Sequence, residues 1–301
     1  MLNFTLTDLK YLLALAEEKH FAKAAARCFI SQPTLSIAIK KLEENLEICI
    51  FERENHQILL TPAGNMIIEQ AKKILGEAQQ MREMALSYQN PYSQPLRIGA
   101  ILTIGPYLFP SLVRDTIKLA PELKLILEEG FTTTLTAKLL TGELDAIILA
   151  TPVTEAELEQ TEIFQDELSL ICSAKHKLAT QAKILPKVLN DETLLLLGNG
   201  NCLRDQVLQV CKNNTVATNN ISNQIISSSL ETIKYMVEMN IGVSILPKIA
   251  QINLPANLVV KPFSASKKPT RTLSIVTRKN FPRKSLVKLI EQQLIAQLVG
   301  S

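Results

Sequence analysis

Hydrophobic residues recur every three to four positions along the first ninety residues, and this spacing predicts helices. Residues 5–19 carry the apolar stripe of an amphipathic helix, and a second short helix follows from Phe21 to about Phe29. A third helix begins after Ser31, which can cap it, with Pro33 in the first turn, where no N–H is needed. Two short helices joined by a tight turn predict a helix-turn-helix.

The pattern then changes to a short hairpin and a long helix. Two apolar runs within residues 50–61 flank a polar turn, which predicts a wing beside the third helix. From Pro62 to about Tyr88 a heptad-like stripe continues over about 40 Å of helix. Because such a helix cannot bury its stripe alone, we expect it to pair with a second copy. The hinge lies at residues 90–95, which are rich in proline and polar residues.

Beyond the hinge, apolar strand patterns alternate with helical ones. This order predicts an α/β fold with a parallel, doubly wound sheet, and its length suggests two lobes with a cleft between them. Ligands in such folds bind at the carboxyl ends of the strands. The expected strands cover residues 96–100, 124–128, 145–150, 168–172, 193–197, 243–246 and 273–276.

Composition and charge exclude several classes of protein. Apolar residues make up 47% and charged residues 20% of the 301, as in an ordinary globular protein, and no apolar run is long enough to span a membrane. Five irregularly spaced cysteines and no secretion signal indicate free thiols in a reducing cytoplasm. The net charge is +3, but residues 1–60 hold seven Lys or Arg and eight Asp or Glu. DNA binding must therefore rest on pattern.

Common catalytic and cofactor motifs are missing from the sequence. It contains no phosphate-binding glycine loop, no dinucleotide-binding glycine fingerprint and no serine-nucleophile elbow. His20, His56 and His176 lack metal-ligand spacing, so we expect neither a metal nor a cofactor.

One cysteine differs from the rest. Cys28, Cys49 and Cys172 lie among apolar neighbours, which favours small buried hydrophobic side chains. Cys202 instead follows a polar, glycine-containing loop and opens a helix. A helix N-terminus and a nearby cation, for which Arg204 is the sequence neighbour, both lower the pKa of a thiol. This placement favours a reactive Cys202.

The N-terminal motifs resemble LysR-type transcriptional regulators. The resemblance rests on residues 22–27, 30–36, 51–53 and 60–64, whereas Glu47-Ile48-Cys49 replaces the usual Gly-x-Pro. It implies that the start of the third helix reads bases and that basic residues hold phosphates. The implied DNA-binding residues are Ser31, Gln32, Pro33, Thr34, Ser36, Lys40, Lys41 and Arg53.

The second half resembles the peroxide-sensing members of that family. The motifs are residues 103–108, 142–145 and 202–206, with Cys211 nine positions after Cys202. The resemblance implies that peroxide oxidises Cys202 to a sulfenic acid, which forms a disulfide with Cys211. The residues implied to bind or activate peroxide are Thr103, Thr132, Asn201, Arg204, Asp205 and Arg271, with Asn201 in place of the family's histidine.

The resemblance also implies domains and partners. It predicts a winged helix-turn-helix over 1–61, a linker and dimerisation helix over 62–90, and a sensor domain of the two-lobed, type 2 periplasmic-binding-protein-like fold over 95–301. Lobe I would comprise 95–168 with 271–301, and lobe II 169–270. The implied partners are promoter DNA, further copies in a homodimer or homotetramer, RNA polymerase, and a glutaredoxin- or thioredoxin-type reductant.

Two alternatives stay open at this point: a regulator of the same family that binds a small organic effector in the cleft, and a thiol-dependent peroxidase.

A disulfide between Cys202 and Cys211 has a geometric consequence of its own. Nine residues of one helix separate the two by about 13 Å, and they point to nearly opposite sides. Because a disulfide needs Cα atoms within about 7 Å, the segment from 201 to about 214 must melt.

Overall fold

The computed structural model describes residues 3–54, 57–90, 92, 94–213, 224–264 and 268–300. Their contacts divide the chain within one long helix. The first unit comprises Met1–Ala85 with Leu140–Glu143, and the second comprises Leu86–Leu139 with Leu144–Ser301. A search of the described helices for one of membrane-spanning length and hydrophobicity finds none.

The first unit follows the order predicted from the hydrophobic pattern. Its elements are α1 (Leu6–Glu18), α2 (Phe21–Arg27), α3 (Gln32–Leu46), β1 (Phe51–Glu54), β2 (Gln57–Leu60) and α4 (Pro62–Gln89). Thr5 and Asp8 form a capping box that begins α1. The Ser31 hydroxyl accepts a hydrogen bond from the Thr34 N–H, so the predicted cap of α3 is confirmed.

The wing is anchored to the third helix by a single carboxylate. β1 and β2 pair antiparallel, as the two apolar runs predicted. The Glu43 carboxylate on α3 accepts the backbone N–H groups of Ile50 and Phe51 at 2.7 and 3.0 Å. Beneath this contact, Leu35 and Leu42 of α3 are almost completely buried. Glu43 therefore connects the start of the hairpin to α3.

The second unit contains the strands and helices of the predicted α/β region. They are β3 (Leu96–Ile101), α5 (Gly105–Leu119), β4 (Leu125–Gly130), α6 (Thr132–Leu140), β5 (Ala146–Leu149), β6 (Leu158–Ser173), β7 (Leu194–Leu197), α7 (Cys202–Asn213), β8 (Gln224–Ser227), α8 (Leu230–Glu238), β9 (Ser244–Pro247), β10 (Leu258–Lys261), β11 (Thr270–Arg278) and α9 (Lys284–Gly300). Three short 3₁₀ helices complete it at Lys177–Thr180, Pro186–Asp191 and Lys248–Gln251.

The main sheet is mixed, so the prediction of a parallel, doubly wound sheet was wrong in part. Its strand order is β10–β6–β11–β5–β3–β4, with β9 also paired to β6. Only β3, β4 and β5 pair in parallel there, while β11 runs antiparallel to both β5 and β6. The sheet is mixed because β11, which lies near the end of the sequence, inserts between β5 and β6 and runs antiparallel to both.

Strand β6 is long and pairs with different strands along its two halves. Its first part, up to Glu167, pairs with β11, and its last part pairs with β9 and β10. The prediction of a strand over 168–172 found only the buried half of β6. The other half carries partly exposed charged residues between Leu158 and Glu167, and this hid its strand pattern.

The parallel strands carry two threonines to one edge of the sheet. β3 and β4 are neighbours and point the same way, so their carboxyl ends lie together. Thr103 follows β3, and Thr132 is the first residue of the helix that follows β4. Next to this edge, β7 and β8 form a separate parallel pair, and α7 begins five residues after β7 ends.

Candidate functional site

Helix α7 carries the two cysteines singled out from the sequence. Cys202 is its first residue, as predicted, and is half-buried, whereas Cys211 is completely buried in the hydrophobic core. The turn before the helix depends on Gly200, whose φ of +87° lies in the left-handed region that favours glycine. Both cysteines carry free thiols on one continuous helix.

A cavity of about 10 Å³ lies against Cys202. A volume near this size holds about one water molecule, so only a very small ligand fits. The residues that line it include four that were predicted from the sequence. The full lining is Ile101, Leu102, Thr103, Gly130, Phe131, Thr132, Gly200, Asn201 and Cys202.

Arg271 provides the positive charge of the site from a fully buried position. Its Nη1 donates to the Thr103 hydroxyl at 2.9 Å, and its Nη2 donates to the Thr103 carbonyl at 3.1 Å. Its Nε donates to the Asp166 carboxylate at 2.9 Å, and both members of that ion pair are fully buried. The guanidinium is therefore fixed in one orientation next to the cavity.

Burial is the largest influence on the pKa of the Cys202 thiol. It raises the pKa of the thiol above its ordinary value, and the positive charge of Arg271 opposes the rise only in part. The backbone N–H groups at the start of α7 do lower the pKa, as expected, but burial outweighs them, and Arg204 is not among the groups that act on the thiol. Arg204 instead donates to the Leu197 carbonyl at 3.0 Å, and the cation that acts on the thiol is Arg271.

Asn201 and Asp205 flank Cys202 in different ways. Asn201 is buried, lines the cavity and donates its side-chain amide to the Gly198 carbonyl at 3.1 Å. Asp205 lies exposed in the first turn of α7, and its negative charge contributes to the raised pKa of Cys202. Neither Arg204 nor Asp205 lines the cavity. The structure thus groups Thr103, Thr132 and Asn201 with Cys202, and sets the other two apart.

Two residues near α7 were not identified from the sequence. Asp166 holds Arg271, but it lies in the half of β6 that was not recognised as strand, 105 positions before its partner. Gln206, which the sequence motif includes but to which no role was given, donates from α7 to the Ala150 carbonyl at 2.7 Å. No local sequence pattern predicts either contact, because each contact joins segments that are far apart in the chain.

The other three cysteines lie elsewhere. Cys172 is buried and Cys28 is half-buried, and burial raises the pKa of both thiols. Cys49 is exposed, which corrects its assignment as a buried hydrophobic residue. Successive side chains of an extended segment point to opposite sides. Since Ile50 takes the inward position, Cys49 points outward, where its thiol donates to the Phe51 carbonyl at 3.3 Å.

The predicted DNA-binding residues cluster at the start and on the outer face of α3. Ser31 and Thr34 hydrogen bond through their hydroxyls at 2.7 Å. Ser36 is half-buried, and Lys40 lies 3.7 Å from Glu44 on the same helix. Arg53 belongs to β1, but its side chain lies outside the described part of the chain. The exposed members are Ser31, Gln32, Pro33, Thr34, Lys40 and Lys41.

A larger cavity of about 160 Å³ adjoins the small one and shares Leu102, Thr103 and Asn201 with it. On its wall the Tyr107 hydroxyl donates to the Glu231 carboxylate at 2.5 Å. Lys234 pairs with the same carboxylate at 2.7 Å and lies 4.5 Å from the centre of the Tyr107 ring. These contacts join α5 to α8.

Within the described residues, no group of three or more His, Cys, Asp or Glu could hold a metal ion.

Comparison with protein families accounts for almost the whole chain. Residues 6–65 match the bacterial regulatory helix-turn-helix of the LysR family, and residues 89–298 match the LysR substrate binding domain. Among curated proteins, the hydrogen peroxide-inducible genes activator of Haemophilus influenzae is 39% identical over 277 residues, which cover 91% of each chain. The DNA-binding transcriptional dual regulator OxyR of Escherichia coli K12 is 34% identical, covering 97% of this chain and 95% of its own.

Solved structures agree with these matches. A Cys-to-Asp variant of full-length OxyR from Pseudomonas aeruginosa is 43% identical and superimposes with a TM-score of 0.77, covering 97% of this chain and 95% of its own. A hydrogen peroxide-bound Cys-to-Ser variant of Corynebacterium glutamicum OxyR is 27% identical with a TM-score of 0.65, covering 97% and 92%. The chain therefore belongs to the LysR family of bacterial transcriptional regulators, and within that family it is similar to OxyR.

Proposed function

We propose that this regulator senses hydrogen peroxide through Cys202 and changes the transcription of antioxidant genes. The observation that carries the proposal is the cavity of about 10 Å³, which places Cys202 beside two threonines, one of them hydrogen bonded to a buried arginine. Such a volume excludes an organic ring and admits only a very small ligand. The relatives named for peroxide induction support the same assignment.

The chemistry needs a thiolate and a donor for the departing oxygen. The Cys202 thiolate attacks one peroxide oxygen, the O–O bond breaks, and the departing hydroxide takes up a proton to form water. Sulfur loses two electrons and becomes a sulfenic acid. Because Thr103 accepts a hydrogen bond from Arg271, its own hydroxyl proton is free to point at the peroxide. We assign Thr132 and Asn201 to holding the substrate, and Arg271 to stabilising the thiolate.

The second step joins Cys202 to Cys211. The Cys211 sulfur attacks the sulfenic acid, an S–S bond forms, and a second water leaves with the sulfenic oxygen. On α7 the two residues lie about 13 Å apart along the axis, which is beyond the reach of a disulfide. We infer that α7 melts before the bond forms. Such a refolding is a two-state element that can transmit the signal.

The remaining assignments follow from the LysR family. Gln32, Thr34 and Ser36 would read base edges of promoter DNA, while Lys40, Lys41 and Arg53 would hold phosphates. The long α4 would pair two copies in a homodimer or homotetramer that contacts RNA polymerase. A glutaredoxin- or thioredoxin-type reductant would restore the thiols in the cytoplasm, where bacterial promoters are. In this proposal the chain is a regulator and not an enzyme.

Mass spectrometry after one equivalent of hydrogen peroxide tests the proposal. We expect the loss of two hydrogen atoms, with one new cross-link between the peptides of Cys202 and Cys211. Cys49→Ser is the matched control, since it removes an exposed thiol outside the site and should leave the cross-link intact. Unchanged mass would favour the organic-effector regulator, for which the cavity of about 160 Å³ offers room. Sustained peroxide consumption would indicate a peroxidase.

A further inference from the structure

An exposed isoleucine lies on the outer face of α3, among the residues that were predicted to bind DNA. Ile37 is the sixth residue of this helix, and 69% of its surface is exposed. The opposite face of the helix carries Leu35, Ile39 and Leu42, which pack into the core of the first unit. Because successive residues of a helix are rotated by about 100°, Ile37 points almost directly away from that core. Ile37 itself was not predicted to bind DNA.

The neighbours of Ile37 on the helix surface are all residues assigned above to DNA binding. In an α-helix, the side chains three and four positions away from a residue lie beside it. Pro33 and Thr34 precede Ile37 by four and three positions. Lys40 and Lys41 follow it by three and four positions, and all of these neighbours are exposed. Ile37 therefore lies at the centre of the surface assigned to DNA.

The surroundings of Ile37 favour DNA over a protein as the partner that covers it. Apolar patches that mark protein interfaces extend over roughly several hundred Å², whereas polar Thr34 and the charged Lys40 and Lys41 lie directly beside this side chain. The two ammonium groups complement DNA phosphates. The match to the LysR-family helix-turn-helix includes the whole of α3, and in such motifs the first turns of the second helix lie in the major groove.

The major groove offers one apolar group to such a side chain. Each base pair presents hydrogen-bond donors and acceptors there, and among the four bases only thymine adds a C5-methyl group. Ile37 cannot hydrogen bond through its side chain, so covering a donor or acceptor would leave that group unpaired. Contact with a methyl group instead removes apolar surface from water on both sides. Thymine is therefore the base that complements Ile37.

We propose that Ile37 is a specificity-determining residue of this regulator and that it recognises the C5-methyl group of a thymine in the promoter site. The inference rests on the DNA-binding surface assigned to α3 under the proposed function. On that surface the lysines hold phosphates and contribute affinity for any sequence, whereas Ile37 contributes a preference for thymine at one base pair.

Replacement of single thymines by deoxyuridine, which lacks only the C5-methyl group, tests the inference. The DNA duplex is first selected from random sequences by the reduced full-length protein. At one thymine or more, the replacement should weaken binding of the wild type about fourfold, which is the effect of one methyl group that is no longer buried. Ile37→Ala should bind the two duplexes equally well. Leu185→Ala, which shortens an exposed apolar side chain in the second unit, should discriminate between them as the wild type does.

Two further variants, Thr34→Ala and Lys41→Ala, separate failure of this inference from failure of the DNA-binding surface. If both weaken binding while every deoxyuridine replacement affects the wild type and Ile37→Ala alike, the surface stands and the role of Ile37 is overturned. If neither weakens binding, the outer face of α3 does not bind DNA and both assignments are overturned. Because Ile37 carries no charge, the salt dependence of binding should be the same for Ile37→Ala as for the wild type. A shallower dependence would contradict a role limited to base recognition.

Discussion

The two ends of α7 place the same functional group in opposite surroundings. Cys202 is half-buried at the first residue, beside a cavity and within the influence of Arg271. Cys211 is fully buried near the last turn, where burial raises the pKa of its thiol to about 11. Cys202 can therefore react with a small molecule in the cavity, whereas Cys211 is inaccessible to solvent. Oxidation and disulfide formation therefore belong to two different conformations of this helix.

The largest expected effect is that of Cys202→Ser. The variant should lose peroxide-dependent transcription entirely, because no other described cysteine adjoins the small cavity. Specific DNA binding by the reduced form should survive, since α3 folds around its own core. A promoter-reporter assay and a gel-shift assay measure the two properties. Continued activation by peroxide in this variant would remove Cys202 from the role of sensor.

Cys211→Ser should separate the two steps. Peroxide should still reach Cys202 and add one oxygen atom as a sulfenic acid, but no cross-link should follow. Trapping with dimedone and peptide mass spectrometry would detect the sulfenic acid at Cys202. If Cys211→Ser protects Cys202 from oxidation, then Cys211 takes part in the first step and the division between the two ends of α7 is wrong.

Asp166→Asn should change the surroundings of Cys202 and leave those of Cys211 as they are. It leaves the buried guanidinium of Arg271 without its counter-ion, which costs about 3 kcal/mol of unfolding free energy and slows the reaction of Cys202 with peroxide. Asp115→Asn breaks an exposed pair with Arg114 and should change neither quantity noticeably. Denaturant unfolding and stopped-flow kinetics measure the two effects. A destabilised variant with a normal rate at Cys202 would show that Asp166 acts only on stability.

The buried end should be visible in the pH dependence of stability. The pKa of Cys211 rises from 9.0 to about 11 on folding, so folding favours the neutral thiol. This contribution is complete below pH 9 and is lost as the pH rises toward 11. Between pH 8 and 10 it should remove about 1 kcal/mol. Cys211→Ser should lack this part of the decline, whereas Cys49→Ser should retain it; equal slopes in all three proteins would contradict the assignment.

The DNA-binding unit was the part most readable from sequence. The apolar stripe of α1, the cap at Ser31 and the hairpin after it are all set by residues within a few positions of one another. The start of α7 at Cys202 was predictable for the same reason, because a polar glycine loop precedes a helical pattern. Local patterns determine helix ends, and these predictions required nothing more.

The parts that sequence reasoning missed depend on distant segments. The mixed sheet arises when β11 pairs with β6 across more than a hundred residues, and Asp166 meets Arg271 by the same pairing. The raised pKa of Cys202 likewise depends on burial by elements that the local sequence does not include. The position of Arg204, close in sequence to Cys202 but hydrogen bonded to Leu197, shows that a neighbour in sequence need not be a neighbour in the site.

Hydrogen–deuterium exchange on the reduced protein and on the disulfide form tests the central claim most directly. In the reduced form, α7 is a continuous helix from Cys202 to Asn213, so its amides should be protected. After a Cys202–Cys211 cross-link has been verified by mass spectrometry, we predict that protection across this helix is lost, while α1 and α3 exchange as before. Unchanged protection of α7 in the cross-linked protein would contradict the account.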